Sequence, residues 1–478
     1  MSRNREVFLN FIWRFLERCG AQGVSFIVSI ILARILDPEV YGTVALMNVF
    51  TILLSVFIDS GMGSALIQKK DADELDFSTL FYFNLGMCII LYVLMFFCAP
   101  LIARFYGRNE LVSMIRVLSL TLIVSGVKNI QNAYVSKNML FKKFFFATLG
   151  GTIGAAIIGI FLAYLGYGAW ALIIQSLFNN CVDTIILWIT VKWRPQKKFS
   201  FTRLKILFSF GWKIMVSSLL DRVYRELRTL IIGKKYSSED LAFYNRGQQF
   251  PVVVVDNINS SIDSVLFPSM AAVQDIQDKV RGMTRRAIKV SCYIMMPLMV
   301  GLAVCAEPLI RILLTEKWLP SVFFMRVFCF SYAFWPIHTA NLNAIKALGR
   351  SDLFLRLEVI KKIVGLIALL STMWISVKAM AYSLLFTSVT SQLINSWPNK
   401  RLLNYSYIEQ LKDIFPSMIL SIVMGICVLQ ITRVGLSDII TLLMQILVGG
   451  IIYIIGSRLF RIDSWEYLVC MLKEFHNK

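Results

Sequence analysis

"SSLLDRVYREL" (Ser217–Leu227) decides how this chain folds. With Lys213 before it and Arg228 after it, six charges crowd into about four helical turns. The segment is otherwise apolar enough to cross a membrane. Either it spans with a use for its charges, or it lies on a surface and every later loop changes sides.

Composition narrows the choice. The chain has 478 residues, of which 57% are hydrophobic and 16% charged, with a mean hydropathy of +0.67. Repeated apolar runs of about 20 residues are the signature of transmembrane helices. The reading is an all-α polytopic membrane protein with about fourteen spans between residues 9 and 457. The seventh runs from 206 to 232 and contains the opening stretch. Segments 110–134, 284–314 and 318–346 are each read as one span. Loops are short, and the longest is the basic linker "VKWRPQKKFSFTRLK" at 191–205.

A net charge of +20 would suit nucleic acid, but its placement does not. Of 49 Lys and Arg residues, 30 fall on one side of the expected topology, nine on the other and ten within spans. That asymmetry places both termini in the cytoplasm and makes the basic balance a topology signal, with attraction to membrane lipid headgroups as a by-product. If the seventh segment alone failed to span, the 17 basic residues of the later inward loops and tail would face outward. Its charges are therefore expected within a span, unless the seventh and eighth segments both fail to cross, which alone would preserve the parity.

Nine cysteines, none in a C-x-x-C motif and most in apolar runs, read as small buried hydrophobes. The two histidines, His338 and His476, leave no His-rich metal site, and no cofactor, metal or catalytic residue is expected. His338 is read as structural, with titration along a transport pathway as the other reading. Arg14, Glu17 and Arg18 interrupt any signal-peptide core, so the first helix is expected to be retained.

The second half echoes the first. "FIDSGMGSALIQKKD" (57–71) aligns with "SIDSVLFPSMAAVQD" (261–275), "CAPLIARFY" (98–106) with "CAEPLIRIL" (305–313), and "MIRVLSL" (114–120) with "FMRVFCF" (324–330). The last alignment sets Arg116 opposite Arg326. The plan is two six-helix lobes, 1–195 and 196–400, related by a pseudo-two-fold axis, then two further helices and a tail at 401–478. The seventh span is then the counterpart of the first, which carries Arg14, Glu17 and Arg18.

Helical spacing gathers polar groups onto faces. With Asp221 at zero, Arg225 lies at about 40° and Arg228 at about −20°, while Arg222 and Glu226 extend the arc to about 140°. Arg14, Arg18, Gln22, Ser25 and Ser29 share a face of the first span. Asn48, Ser55 and Asp59 share one on the second, and Asn245, Gln249, Asp256, Ser260 and Asp263 one on the eighth, where Arg246 also lies. A charge facing lipid at mid-bilayer costs about 2.5–3.5 kcal/mol, so these faces line a wet cavity or pair across helices. Asp221–Arg225 and Arg222–Glu226 have the spacing for such pairing. Ten basic against seven acidic residues within spans favour an anionic ligand, and the arginine fork suits diphosphate oxygens. Arg14, Arg18, Gln22, Asn48, Arg222, Arg225, Arg228 and Arg246 are the candidate ligand residues. Glu17, Asp59, Asp221, Glu226, Asp256 and Asp263 are candidates for charge balance or ion coupling.

"RILDPEVYG" after the first span, "DSGMGSALIQ" at the end of the second, "FYNRGQQFP…VLFPSM" through the eighth and "KALGRSDLFLRLEVIKK" after the tenth resemble the polysaccharide (Wzx-type) flippases. These belong to the multidrug/oligosaccharidyl-lipid/polysaccharide exporter superfamily, and the likeness is strongest to its colanic and teichuronic acid exporters. The resemblance implies transfer of an undecaprenyl-diphosphate-linked oligosaccharide across a bacterial plasma membrane by alternating access, with a polysaccharide polymerase complex as a further partner. A multidrug/cation antiporter of the same superfamily and a membrane glycan polymerase stand as alternatives.

Overall fold

The computed structural model describes residues 3–59, 66, 72–138 and 140–476. Among the described residues the regular structure is helical, with no strand. The chain divides into two compact units, Met1–Leu241 and Ala242–Lys478.

The first unit contains α1 (Arg3–Ile35), α2 (Pro38–Asp59), α3 (Glu74–Tyr106), α4 (Leu111–Leu118), α5 (Leu120–Lys137), α6 (Phe141–Tyr164), α7 (Ala169–Thr190) and α8 (Phe201–Lys235). Its α6–α7 hairpin is closely packed because α6 presents glycines. A Cβ on Gly151 would lie 2.8 Å from Asn179 Oδ1, and one on Gly159 would lie 2.8 Å from Gln175. Small residues let membrane helices approach where burial alone supplies little drive. α3 opens with a capping box, in which the Asp73 side chain accepts from the Asp76 amide and Asp76 returns the bond. Beneath that cap lies an aromatic core of Phe77, Phe81 and Trp193.

The basic linker is not a loose tether. Trp193 is buried; its Nε1–H donates to Glu74 at 2.6 Å, and its carbonyl accepts from Gln131 at 3.1 Å. The amides of Gln196 and Ser200 donate to Ser78 and Thr79. Arg203 at the start of α8 then reaches both Asp73 and fully buried Asp76 at 3.2 Å. At its other end α8 lies on α2, where a Cβ on Gly233 would come within 2.6 Å of Leu46. Repeat order and packing thus diverge at α8. It is the expected counterpart of α1 and follows the expected boundary at 195/196, yet the linker bonds and the Gly233 contact hold it in the first unit.

The second unit takes most of α9 (Ser238–Ala271), then α10 (Gln277–Val304), α11 (Ala306–Leu314), α12 (Ser321–Ala333), α13 (Trp335–Ala347), α14 (Ser351–Thr372), α15 (Val377–Leu402), α16 (Tyr407–Ile431), α17 (Asp438–Leu459) and α18 (Asp463–His476). One core gathers Met270, Ile288, Ile337, Tyr405 and Ile414. A second gathers Tyr293, Leu420, Met424 and Tyr453, which ties α16 and α17 to α10. A buried polar knot joins α13, α15 and α16. Asn341 donates to Ser396 and Gln410, and accepts from Asn399 at 2.6 Å and from Gln410 at 3.1 Å.

Among the described residues, eight segments are long and apolar enough to cross a membrane: α2, α3, α4 with α5, α6, α7, α10, α16 and α17. Their outer faces are apolar as well, as at Ile90, Phe97 and Leu101 on α3 and Ile446, Leu447 and Ile454 on α17. Water would penalise such a surface, whereas lipid accepts it. In three segments expected as single spans the helix is interrupted at one residue, Ser119, Cys305 or Phe334, and the first of them still counts as one crossing segment.

Candidate functional site

α8 is fastened at its ends and bare in its middle. Leu207 near its start and Thr229 and Ile232 near its end are buried. Lys234 donates to the Phe105 carbonyl and sits over that ring. Between these anchors Trp212, Val216 and Leu220 are exposed within the unit, and so are Ser217, Arg222 and Arg225. The opening stretch is therefore a helix with an uncovered face.

The charges on that face are ordered. Arg225 Nε lies 2.8 Å from Asp221 Oδ2, with side chains 67% and 38% exposed. Glu226, half-buried, hydrogen-bonds Thr229 in the field of Arg222 and Arg225. Arg228 is half-buried one turn further on. In the middle of α8 three cations (Arg222, Arg225, Arg228) stand against two carboxylates (Asp221, Glu226), which leaves that stretch positive. A solvated i,i+4 pair contributes about 0.3–0.5 kcal/mol, so the Asp221–Arg225 contact holds the guanidinium in place more than it holds the fold together. An incoming oxyanion can recruit such a fork at little cost.

The other candidates fall as follows. In the first unit Glu17 is buried, Gln22 and Ser25 are exposed, and Asn48 is half-buried. The side chains of Arg14, Arg18 and Asp59 lie outside the described residues. In the second unit Asp256 is exposed, and exposed Asp263 accepts from Asn343 at 2.5 Å. Asn259, one turn earlier, accepts from Thr339 at 3.1 Å. Arg246 is buried, donates to Gln249 at 2.6 Å and lies 5.0 Å over the Trp318 ring. Both contacts lie within its own unit.

Three charges that the sequence reading counts toward a ligand have partners inside the fold. Lys128 on α5 is paired with Asp183 on α7 at 2.8 Å, with side chains 17% and 16% exposed. Arg116 and Arg326 donate to main-chain carbonyls. Set aside, they reduce the in-span tally from ten against seven to seven against six. The anion preference then rests on where the arginines cluster, chiefly on α8, and not on net charge. The Arg203 and Trp193 fastenings of the linker leave one trace in the sequence, the D-x-x-D capping box at 73–76 that supplies partners of Arg203.

The fold is shared with solved transporter structures. The chain superposes on the structure titled "Lipid II flippase MurJ, inward closed conformation" with TM-score 0.76 at 16% identity, covering 95% of this chain and 99% of that one. On an inward-facing MATE family transporter the TM-score is 0.61 at 16% identity, covering 80% and 95%.

The model of the family described as "Polysaccharide biosynthesis protein" matches residues 31–323, more than half of the chain, and the chain belongs to that family. Among its relatives is the teichuronic acid biosynthesis protein TuaB of Bacillus subtilis (strain 168), 27% identical over 389 residues, covering 79% of this chain and 78% of TuaB. Another is the lipopolysaccharide biosynthesis protein WzxC of Escherichia coli (strain K12), 23% identical over 363 residues, covering 76% and 74%. The resemblance read from the four motifs is confirmed.

Proposed function

We propose that the chain is a flippase that moves an undecaprenyl-diphosphate-linked oligosaccharide from the inner to the outer leaflet of a bacterial plasma membrane. It would serve surface polysaccharide synthesis and supply a polymerase on the outer side. The observation that carries the reading is the bare, positive middle of α8, where Asp221 holds Arg225 extended. Family membership and the names of TuaB and WzxC support the polysaccharide pathway. In this reading Arg14, Arg18, Arg222, Arg225 and Arg228 hold the diphosphate, while Gln22, Asn48 and the neighbouring serines meet sugar hydroxyls.

The lipid tail stays in the bilayer, and the two repeat lobes rock in alternating access. Glu17, Asp59, Asp221, Glu226, Asp256 and Asp263 balance charge, one of them with a coupling ion. Both termini are cytoplasmic, as the Lys and Arg asymmetry requires. The protein transports and makes no bonds. Complementation of a flippase-deficient strain tests this: wild-type chain restores surface polysaccharide and R225Q/R228Q does not. Dye efflux without restoration would instead place the chain with the multidrug antiporters.

A further inference from the structure

Arg116 and Arg326, set opposite each other by the sequence repeat, make the same bond in their separate units. On α4, Arg116 Nε donates to the Phe96 carbonyl on α3 at 3.3 Å, with its guanidinium 3.9 Å above the Phe96 ring. On α12, Arg326 Nε donates to the Ala303 carbonyl on α10 at 3.2 Å. The acceptors correspond too: Phe96 stands two residues before Cys98 in "CAPLIARFY", and Ala303 two before Cys305 in "CAEPLIRIL".

Each acceptor is a carbonyl at an irregularity of its helix. The donor for Phe96 would be the amide four residues on, and that residue is Pro100, inside α3, which has no N–H. Ala303 is next to last in α10, which stops at Val304 before the break at Cys305. It therefore holds one of the four carbonyls that a helix end leaves without an intrahelical partner. In a bilayer such groups find no water. Arg326 also lies 3.9 Å from Glu307, which accepts from Arg311 at 3.1 Å, so its charge is balanced locally.

We infer that Arg116 and Arg326 are matched positioning residues that satisfy helix-break carbonyls and set the angle between α3 and α4 and between α10 and α12. They are not part of the ligand-binding charge. The inference stands whatever the chain carries, because both bonds lie wholly within one unit.

A rescue experiment on the full chain tests it. Arg116→Gln lowers the thermal midpoint in detergent by about 3–12 °C, the shift expected for one lost charge-assisted bond in a unit of this size. Pro100→Ala restores an amide four residues after Phe96, so P100A/R116Q recovers most of that loss. P100A leaves Arg326→Gln uncorrected, since that break is in the other unit. If R116Q yields too little folded protein to melt, the yield of extracted protein from P100A/R116Q against R116Q reads the same rescue. Equal deficits with and without P100A, or rescue of R326Q by P100A, overturn the inference.

Discussion

Arg285 on α10 grips Asp413 on α16 through two bonds of 2.7 Å, Nε to Oδ2 and Nη2 to Oδ1. Tyr405 donates to the same carboxylate at 2.7 Å, and Lys289 lies 3.5 Å from it and 2.9 Å from Asp463 on α18. α10 follows α3 in the repeat order, and α16 follows α8 as the helix after the last member of a lobe. In the first unit the cation, Arg203, is on the arriving helix and the acids, Asp73 and Asp76, are on α3. The two joints share a place in the topology and carry opposite polarity.

Asp413 is 6% exposed and Arg285 48%, which makes the two halves of the pair unequal. Asp413→Asn strands Arg285 and Tyr405 and costs about 2–4 kcal/mol. Arg285→Gln costs less, about 1–2 kcal/mol, because Asp413 keeps the Tyr405 hydrogen bond and the Lys289 contact. The exchange R285D/D413R regains part of the loss of either reversal alone. Denaturation of the purified chain reads all three.

Lys128 and Asp183 behave differently, because both sides of the pair are largely enclosed, at 17% and 16% exposure. Lys128→Met leaves a buried carboxylate without its cation and costs about 3–5 kcal/mol, whereas K128M/D183L stays within about 1 kcal/mol of wild type. The double variant also keeps polysaccharide export, because the pair serves packing between α5 and α7. Loss of export in a well-folded double variant would move the pair into the transport pathway.

Trp193→Ala frees the linker. It removes a buried indole, its bond to Glu74 and its contacts with Phe77 and Tyr134, at a cost of about 3–5 kcal/mol. Limited trypsin digestion, which in wild type must act on a linker bonded at Gln196 and Ser200, then cuts sooner after Lys197 and Lys198. Unchanged cleavage would show that the linker bonds do not restrain it.

Much of this was legible in the sequence, for physical reasons that can be named. Loop charges obey a rule that needs no structure, so the opening segment reads as a helix despite its six charges. Helical spacing places Asp221 beneath Arg225, and the 2.8 Å contact follows. Pairing between distant residues is not written in any periodicity. Asp76 and Arg203 lie 127 residues apart, and both look like ordinary surface charges in the linear text. Arg246 reads as a cavity charge until Trp318 and Gln249 are seen around it. Pro100, by contrast, announces an orphaned carbonyl at Phe96, so the role of Arg116 was partly written and passed over.

The central claim is that the α8 arginines carry a diphosphate-linked glycan through the membrane, and reconstituted flipping tests it most directly. Purified full-length chain in liposomes is given a fluorescent polyprenyl-diphosphate-linked oligosaccharide, and leaflet transfer is followed by quenching from outside. Wild-type chain accelerates transfer. R225Q/R228Q, melting at the wild-type temperature, is slowed by about a hundredfold, roughly tenfold for each lost charge-assisted contact. Transfer by R225Q/R228Q at the wild-type rate would contradict the claim.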